Sequence, residues 1–169
     1  TVTFARPKPA HLLPPAEDYC GELVVVDIGI PDSAIQAAGS DLHWATGEEI
    51  AILLPERDAA DHKGSFGHVL VAAGSPGKAG AAALAGWGAL RGGAGLVTLA
   101  TPAAVRAEAA VFAPELMSVA LPATREGLLG KDAHRAVLDL LADHDVLALG
   151  PGLGQTPGVQ TEIRRLVRA

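Results

Sequence analysis

The chain has 169 residues, 49% of them hydrophobic, and a net charge of −6. That length and composition exclude a disordered segment and suit one compact domain with a real core. Aromatics make up only 4%, so the core must come from Ala, Val and Leu. The charge is uneven: residues 21–61 carry nine acids against Arg57, whereas residues 62–169 carry ten bases against eight acids. No cluster of basic and aromatic residues points to nucleic acid. No run of 18 apolar residues exists, so no membrane span is expected, and no basic-then-apolar leader reads as a signal peptide. Cys20 is the only cysteine, which excludes an intrachain disulfide and fits a reducing cytoplasm. Its expected role is that of a small half-buried side chain. The sole methionine is Met117, which is expected for a fragment or a processed chain.

Thr1 to Phe4 alternates like a short strand. Four prolines between Pro7 and Pro15 predict a loop. Glu22 to Ile30 reads as a strand stopped by Pro31. Asp32 to Gly39 predicts one short helical turn. Thr46-Gly-Glu-Glu49 is a capping box, so a helix is predicted from Gly47 to about Leu54, ended by Pro55. Lys63 stands in a glycine-rich loop, His62 to Gly67, as a possible phosphate contact or a plain surface lysine. His62 and His68 have no metal-ligand spacing with other candidates, and structural roles are expected for both.

The stretch from His62 to Pro102 is the most informative. His68 to Ala73 has strand length. Gly74-Ser-Pro-Gly-Lys-Ala-Gly80 forms an open corner. Ala81 to Arg91 predicts a helix, Gly92 to Gly95 a stop, and Leu96 to Thr101 a second strand. This is a β-loop-α-turn-β unit with parallel strands. Such a corner points backbone N–H groups and the positive end of a helix at whatever sits above it. The glycines are spaced GxxGxxG, which is neither a dinucleotide fingerprint nor a P-loop. Pattern alone leaves a phosphate site and a tight turn both open.

Further on, Ala103 to Phe112 predicts a helix, Leu116 to Leu121 a short strand, and Ala133 to His144 a helix. In that last helix Ala136, Val137, Leu140 and Leu141 share a face. Asp145 to Gly150 reads as a buried strand, turned by Gly150-Pro-Gly-Leu-Gly154. Thr156 caps a final helix with Pro157 at its first position, running to about Val167. Two strand-to-helix corners thus open on one sheet edge, where open α/β sheets bind ligands. None of the acids, Glu126 and Glu162 included, is expected on a glycine-rich loop at that edge.

The segment LPERDAADHKGSFGHVLVAAGSPGKAGAAALAGWGALRGGAGLVTLATP resembles the opening of ADP/ATP-dependent NAD(P)H-hydrate dehydratases of the ribokinase-like superfamily. Asp145-Val-Leu-Ala-Leu-Gly-Pro-Gly-Leu-Gly154 is similar to the next glycine-rich turn of that family. The start, TVTFARPKPAHLLPPAEDYCGELVVVDIGIP, resembles the end of an NAD(P)H-hydrate epimerase domain. The resemblance implies an α/β fold, a ribokinase-like three-layer αβα arrangement with a mostly parallel sheet, of which this chain is the first half. It divides the chain into an epimerase-like tail and linker, 1–39, and the dehydratase's N-terminal part, 40–169. It implies repair of hydrated NADH or NADPH with ADP or ATP as phosphoryl donor and Mg2+. K+ would serve the epimerase domain of the parent.

By the same resemblance Ala82 and Gly154 match substrate-contacting positions, and Gly74, Ser75, Gly150 and Gly152 are their neighbours. The family's catalytic aspartate belongs to a Gly-Thr-Gly-Asp motif that does not occur here, so no catalytic residue is assigned. The fragment alone is expected to be inactive, and its parent a cytoplasmic homo-oligomer that contacts neither membrane nor nucleic acid. The rival readings are another ribokinase-like small-molecule kinase and a non-catalytic nucleotide-binding module.

Overall fold

A computed structural model of the chain describes residues 1–54, 56–112 and 114–169. By contacts the chain divides into two units, Thr1–Glu56 and Arg57–Ala169. The predicted stop at Pro55 lies outside the described residues.

In the first unit β1 (Val2–Phe4) pairs in parallel with β2 (Val24–Val26), Val2 opposite Val24. The proline-rich stretch between them is not a plain loop. It holds a short helix, α1 (Pro9–Leu12), with proline at its first position, and a 3-10 turn, Glu17–Tyr19. Lys8 Nζ ties this stretch to β1 by donating to Thr3 Oγ1 and to the Phe4 carbonyl, both at 2.8 Å. The strand predicted over Glu22–Ile30 is only three residues long. The Asp27 carboxylate accepts from the Gly29 N–H at 2.8 Å, and that local turn takes the backbone out of the ladder. Helix α2 spans Asp32–Ala37 and α3 spans Gly47–Leu53. The Thr46 capping box forms as the sequence predicts. The Thr46 N–H reaches Glu49 Oε2 at 2.8 Å, which holds the Glu49 carboxyl below the usual range. Among the described residues of this unit, only Thr3 is buried.

The second unit holds β3 (His68–Ala72), α4 (Ala79–Gly92), β4 (Leu96–Pro102), α5 (Arg106–Phe112), β5 (Met117–Leu121), α6 (Ala133–Leu141), β6 (Val146–Leu149) and α7 (Pro157–Val167). The four strands form one parallel sheet in the order β5-β4-β3-β6. Side chains alternate across a strand, so each strand feeds two cores. Val71, Val97 and Leu99 pack with Ala79, Ala82 and Ala83 of α4 and with Ala109 of α5. Leu70, Ala72, Ala100 and Leu121 pack with Ala133 and Val137 of α6 and with Val159 and Leu166 of α7. The unit is therefore a three-layer αβα arrangement.

Two boundaries differ from the sequence prediction for local reasons. Helix α4 starts at Ala79, so Gly80 belongs to the helix and not to the corner. Helix α6 ends at Leu141. The His144 ring bonds the Leu140 carbonyl at 2.6 Å, and the Asp143 N–H also reaches that carbonyl, which closes the helix end. Gly93, with φ of 113°, ends α4 in the left-handed region that favours glycine.

Candidate functional site

Strands β3 and β6 are neighbours, so their carboxyl ends emerge side by side. Backbone and side-chain bonds then join the two corners. The Gly74 N–H donates to the Pro151 carbonyl at 2.8 Å, and the Gly150 N–H donates to Ala72 at 2.9 Å. The Ser75 hydroxyl, on a residue only 2% exposed, donates to the Gly152 carbonyl at 2.6 Å. Gly74, Gly150, Gly152 and Gly154 all have positive φ, between 75° and 99°. A side chain at these positions would strain the backbone. The N–H groups of Gly77, Gly152 and Gly154 find no acceptor among the described residues. The amino end of α4 adds its own free N–H groups to the same edge.

Ala82 is fully buried under the first corner. A Cβ built on Gly74 would lie 3.2 Å from the Ala82 Cβ, so the small side chain lets corner and helix meet. Beside it, the fully buried Thr101 hydroxyl has no partner among the described residues. Gly74, Ser75, Ala82, Gly150, Gly152 and Gly154 are thus brought to one edge.

Lys63 is not among them. It opens a 3-10 turn, Lys63–Phe66, that leads into the amino end of β3, opposite the corners. Its carbonyl lies directly against Gly95, which precedes β4. The two histidines have structural surroundings. His62 accepts from the Gly64 N–H at 3.1 Å. His68 shares a 2.8 Å hydrogen bond with Thr98 and stacks on His144 with ring centroids 3.8 Å apart. Burial pushes the His68 pKa down, and the neighbouring His144 adds to that effect.

Three features of this unit were missed from sequence. The first is a hairpin after β5. Ala123 and Leu129 bridge in antiparallel fashion, the Thr124 N–H donates to Leu128 at 2.8 Å, and Gly127 turns with φ of 79°. A turn with glycine in the left-handed region is a common hairpin closure. A Cβ on Gly127 would sit 2.9 Å from Pro76 Cγ, and one on Gly154 would sit 3.4 Å from Leu128 Cδ2. The hairpin therefore abuts both corners and forms a third wall. Contrary to the sequence expectation, its tip brings one acid, Glu126, to this edge. Bonds to its own backbone and to Thr124 hold the Glu126 carboxyl below the usual range, so it stays ionised.

The second is Lys78, the N-cap residue of α4. A Cβ on Gly152 would lie 3.2 Å from the Lys78 Cβ, so the root of this exposed lysine adjoins the second corner.

The third is a buried, hydrogen-bonded carboxylate far from the corners. Glu162 of α7 is 5% exposed and accepts from the His134 ring at 2.6 Å, from the His134 N–H at 3.2 Å and from Arg165 at 3.0 Å. It caps the start of α6 from another helix. Asp132, the local N-cap, has left-handed φ and makes no side-chain cap bond. Burial raises the Glu162 pKa, but the His134 bonds and the charges of His134 and Arg165 outweigh it and hold the carboxyl below the usual range. A concavity of about 780 Å³ lies beside this pair, lined by Lys131, Arg135, Leu138 and Arg165 among others. It is separate from the glycine corners. Among the described residues no three His, Cys, Asp or Glu side chains gather as a metal site. No helix there is long and apolar enough to cross a membrane.

Comparison with known proteins gives one consistent answer. Residues 69–169 match the profile of the Carb_kinase family, NAD(P)H-hydrate dehydratase. The bifunctional NAD(P)H-hydrate repair enzyme Nnr of Moorella thermoacetica is 41% identical over 167 residues, covering 99% of this chain and 32% of the relative. The corresponding Nnr protein of Pyrobaculum aerophilum is 36% identical over 169 residues, again with 99% and 32% coverage. The chain thus spans about a third of the length of the curated relatives it matches. Among solved structures, the ADP/ATP-dependent NAD(P)H-hydrate dehydratase of Bacillus subtilis, co-crystallised with ATP and Mg2+, superposes with a TM-score of 0.57 at 33% identity. The match covers 78% of this chain and 44% of that one.

Proposed function

Because the chain belongs to the NAD(P)H-hydrate dehydratase family, we propose that its full-length protein repairs hydrated nicotinamide nucleotides. The reaction is ADP- or ATP-dependent dehydration of NADH or NADPH hydrate. The observation that carries this reading is the pair of glycine corners bound together at the carboxyl edge of β3 and β6. Their free N–H groups and the start of α4 suit the phosphates of a dinucleotide. In this reading Gly74, Ser75, Gly150, Gly152 and Gly154 hold the substrate through their backbone. Ala82 acts by its smallness, keeping the helix end close to the corner.

These residues bind and orient. Dehydration also needs a base for the substrate hydroxyl. Glu126, the acid nearest this edge, is held as an exposed carboxylate by its own backbone and by Thr124. No acid stands on the two glycine corners themselves, residues 74–78 and 150–154, and we infer that the base is supplied by another part of the full-length protein. The relatives' ATP and Mg2+ suggest the phosphoryl donor. The described acids form no ligand set for Mg2+ or K+, so no step is assigned to either ion here. Residues 1–39 fit the tail of an epimerase domain, 40–169 the start of the dehydratase, and the whole a bifunctional, cytoplasmic homo-oligomer.

Gly152→Val tests the reading. Gly152 has φ of 75°, and a side chain there would press on Lys78 and Ala81. In the full-length natural protein, calorimetry should show NADPH hydrate binding weakened at least tenfold. Unchanged affinity in a folded variant would overturn the assignment of this edge.

A further inference from the structure

We propose that Lys78 is the residue of the glycine edge that engages the phosphate groups of the bound nucleotide. The proposal rests on the reading of that edge as the dinucleotide site. It begins from a local conflict. Lys78 is the N-cap of a 14-residue helix and makes no side-chain cap bond. The N-cap position favours Ser, Thr, Asp and Asn, whose oxygens accept from the free N–H groups. A cation there also faces the positive end of the helix dipole. Lysine is therefore a poor choice for folding, and residues that oppose local stability concentrate at functional positions.

The surroundings say what it serves. The Lys78 N–H donates to the Ser75 carbonyl at 2.8 Å. Its own carbonyl lies 3.7 Å from a Cβ built on Gly74 and 3.5 Å from one built on Gly152. Lys78 thus touches both corners at once. Its side chain is exposed, and its ammonium group has no acceptor or ion-pair partner among the described residues. Two other charged groups stand on the hairpin wall, Arg125 and Glu126. Glu126 is an exposed carboxylate and would repel a phosphate, and Arg125 stands exposed at the same tip. Bound phosphates reverse the conflict: their charge satisfies the helix dipole, the free N–H groups and the ammonium together. A lysine that is merely solvated would affect none of this.

The experiment uses the full-length natural protein, with NADPH hydrate as the probe, at low and high salt. Lys78→Ser supplies a better cap and removes the charge. It should raise Tm by a few degrees, weaken the dissociation constant about tenfold and flatten its salt dependence. Lys78→Arg should keep wild-type affinity and salt dependence. Lys63→Met, at the opposite edge, should leave both unchanged. Lys78→Ser with a raised Tm and wild-type affinity overturns the proposal. Gly152→Val separates the two levels. If it weakens binding while Lys78→Ser does not, only the role of Lys78 falls. If neither variant changes affinity, the site itself is elsewhere.

Discussion

The two faces of the four-stranded sheet are covered by opposite means. On the α4 face the helix contributes Ala79, Ala82, Ala83 and Gly86, all buried. The methyl groups of Leu99 and Leu116 reach its backbone so closely that a Cβ on Gly86 would overlap them. On the other face α6 and α7 use larger residues, Val137, Val159 and Leu166, and add a buried polar staple, Glu162 with His134. The first face has few rotamers to lose and little room to shift. It fixes the start of α4 over the β3 corner. The second face gains its definition from side-chain volume and from one buried, hydrogen-bonded carboxylate. The closest backbone packing is on the side that carries the helix of the first corner, whereas Leu153 of the second corner and Leu129 of the hairpin belong to the other core.

The largest effect expected from this contrast is on the second face. Leu70 is fully buried there, and Leu70→Ala should destabilise the protein by about 3 kcal/mol in urea unfolding. The first face should instead resist enlargement. Gly86→Val should cost about 2 kcal/mol through overpacking. Wild-type stability in that variant would show that α4 can lift from the sheet, and the contrast would fail.

The smallest effect concerns the staple, and it depends on pH. The folded pKa of Glu162 lies below its unfolded one. Its stabilisation is therefore complete above the ordinary glutamate range and is lost as pH falls through the folded value. Glu162→Gln should cost about 1–2 kcal/mol at neutral pH and flatten stability below the glutamate range. His68 is also depressed, so its contribution is lost on acidification at the higher pH of histidine titration. That limb should survive in Glu162→Gln. Its disappearance would mean that the staple, and not the His68–His144 stack, governs the response to acid.

The regular parts of this fold were legible because they follow from local chemistry. The runs His68–Ala73 and Leu96–Thr101 gave β3 and β4 to within a residue. Thr156 and Pro157 marked the start of α7. The glycine corners were legible for the same reason, since positive φ at successive glycines leaves few alternatives. The 122–130 hairpin was not. Its seven-residue frame is held by backbone bonds around Thr124, and no apolar alternation announces it. The staple was hidden because Glu162 and His134 are 28 residues apart and meet only when α6 and α7 pack. Lys78 was visible in the sequence, but its conflict with the helix appears only once α4 is seen to begin at Ala79. Lys63 alone reads as a possible phosphate contact in the sequence, because a linear string does not say which end of a strand a loop adjoins.

The hairpin sets apart a fixed root and a free tip. Its root is fixed by Leu129 and Gly130 in the interior, while Arg125 and Glu126 at the tip are exposed. Such a tip accepts inserted residues readily, since doubling a loop's length adds only roughly 0.6 kcal/mol of closure entropy. Neither corner, nor the sheet, nor any helix need change when it does. Under the proposed reading of the glycine edge, a change in the length of this one turn would alter the opening of that edge without altering the sheet beneath it.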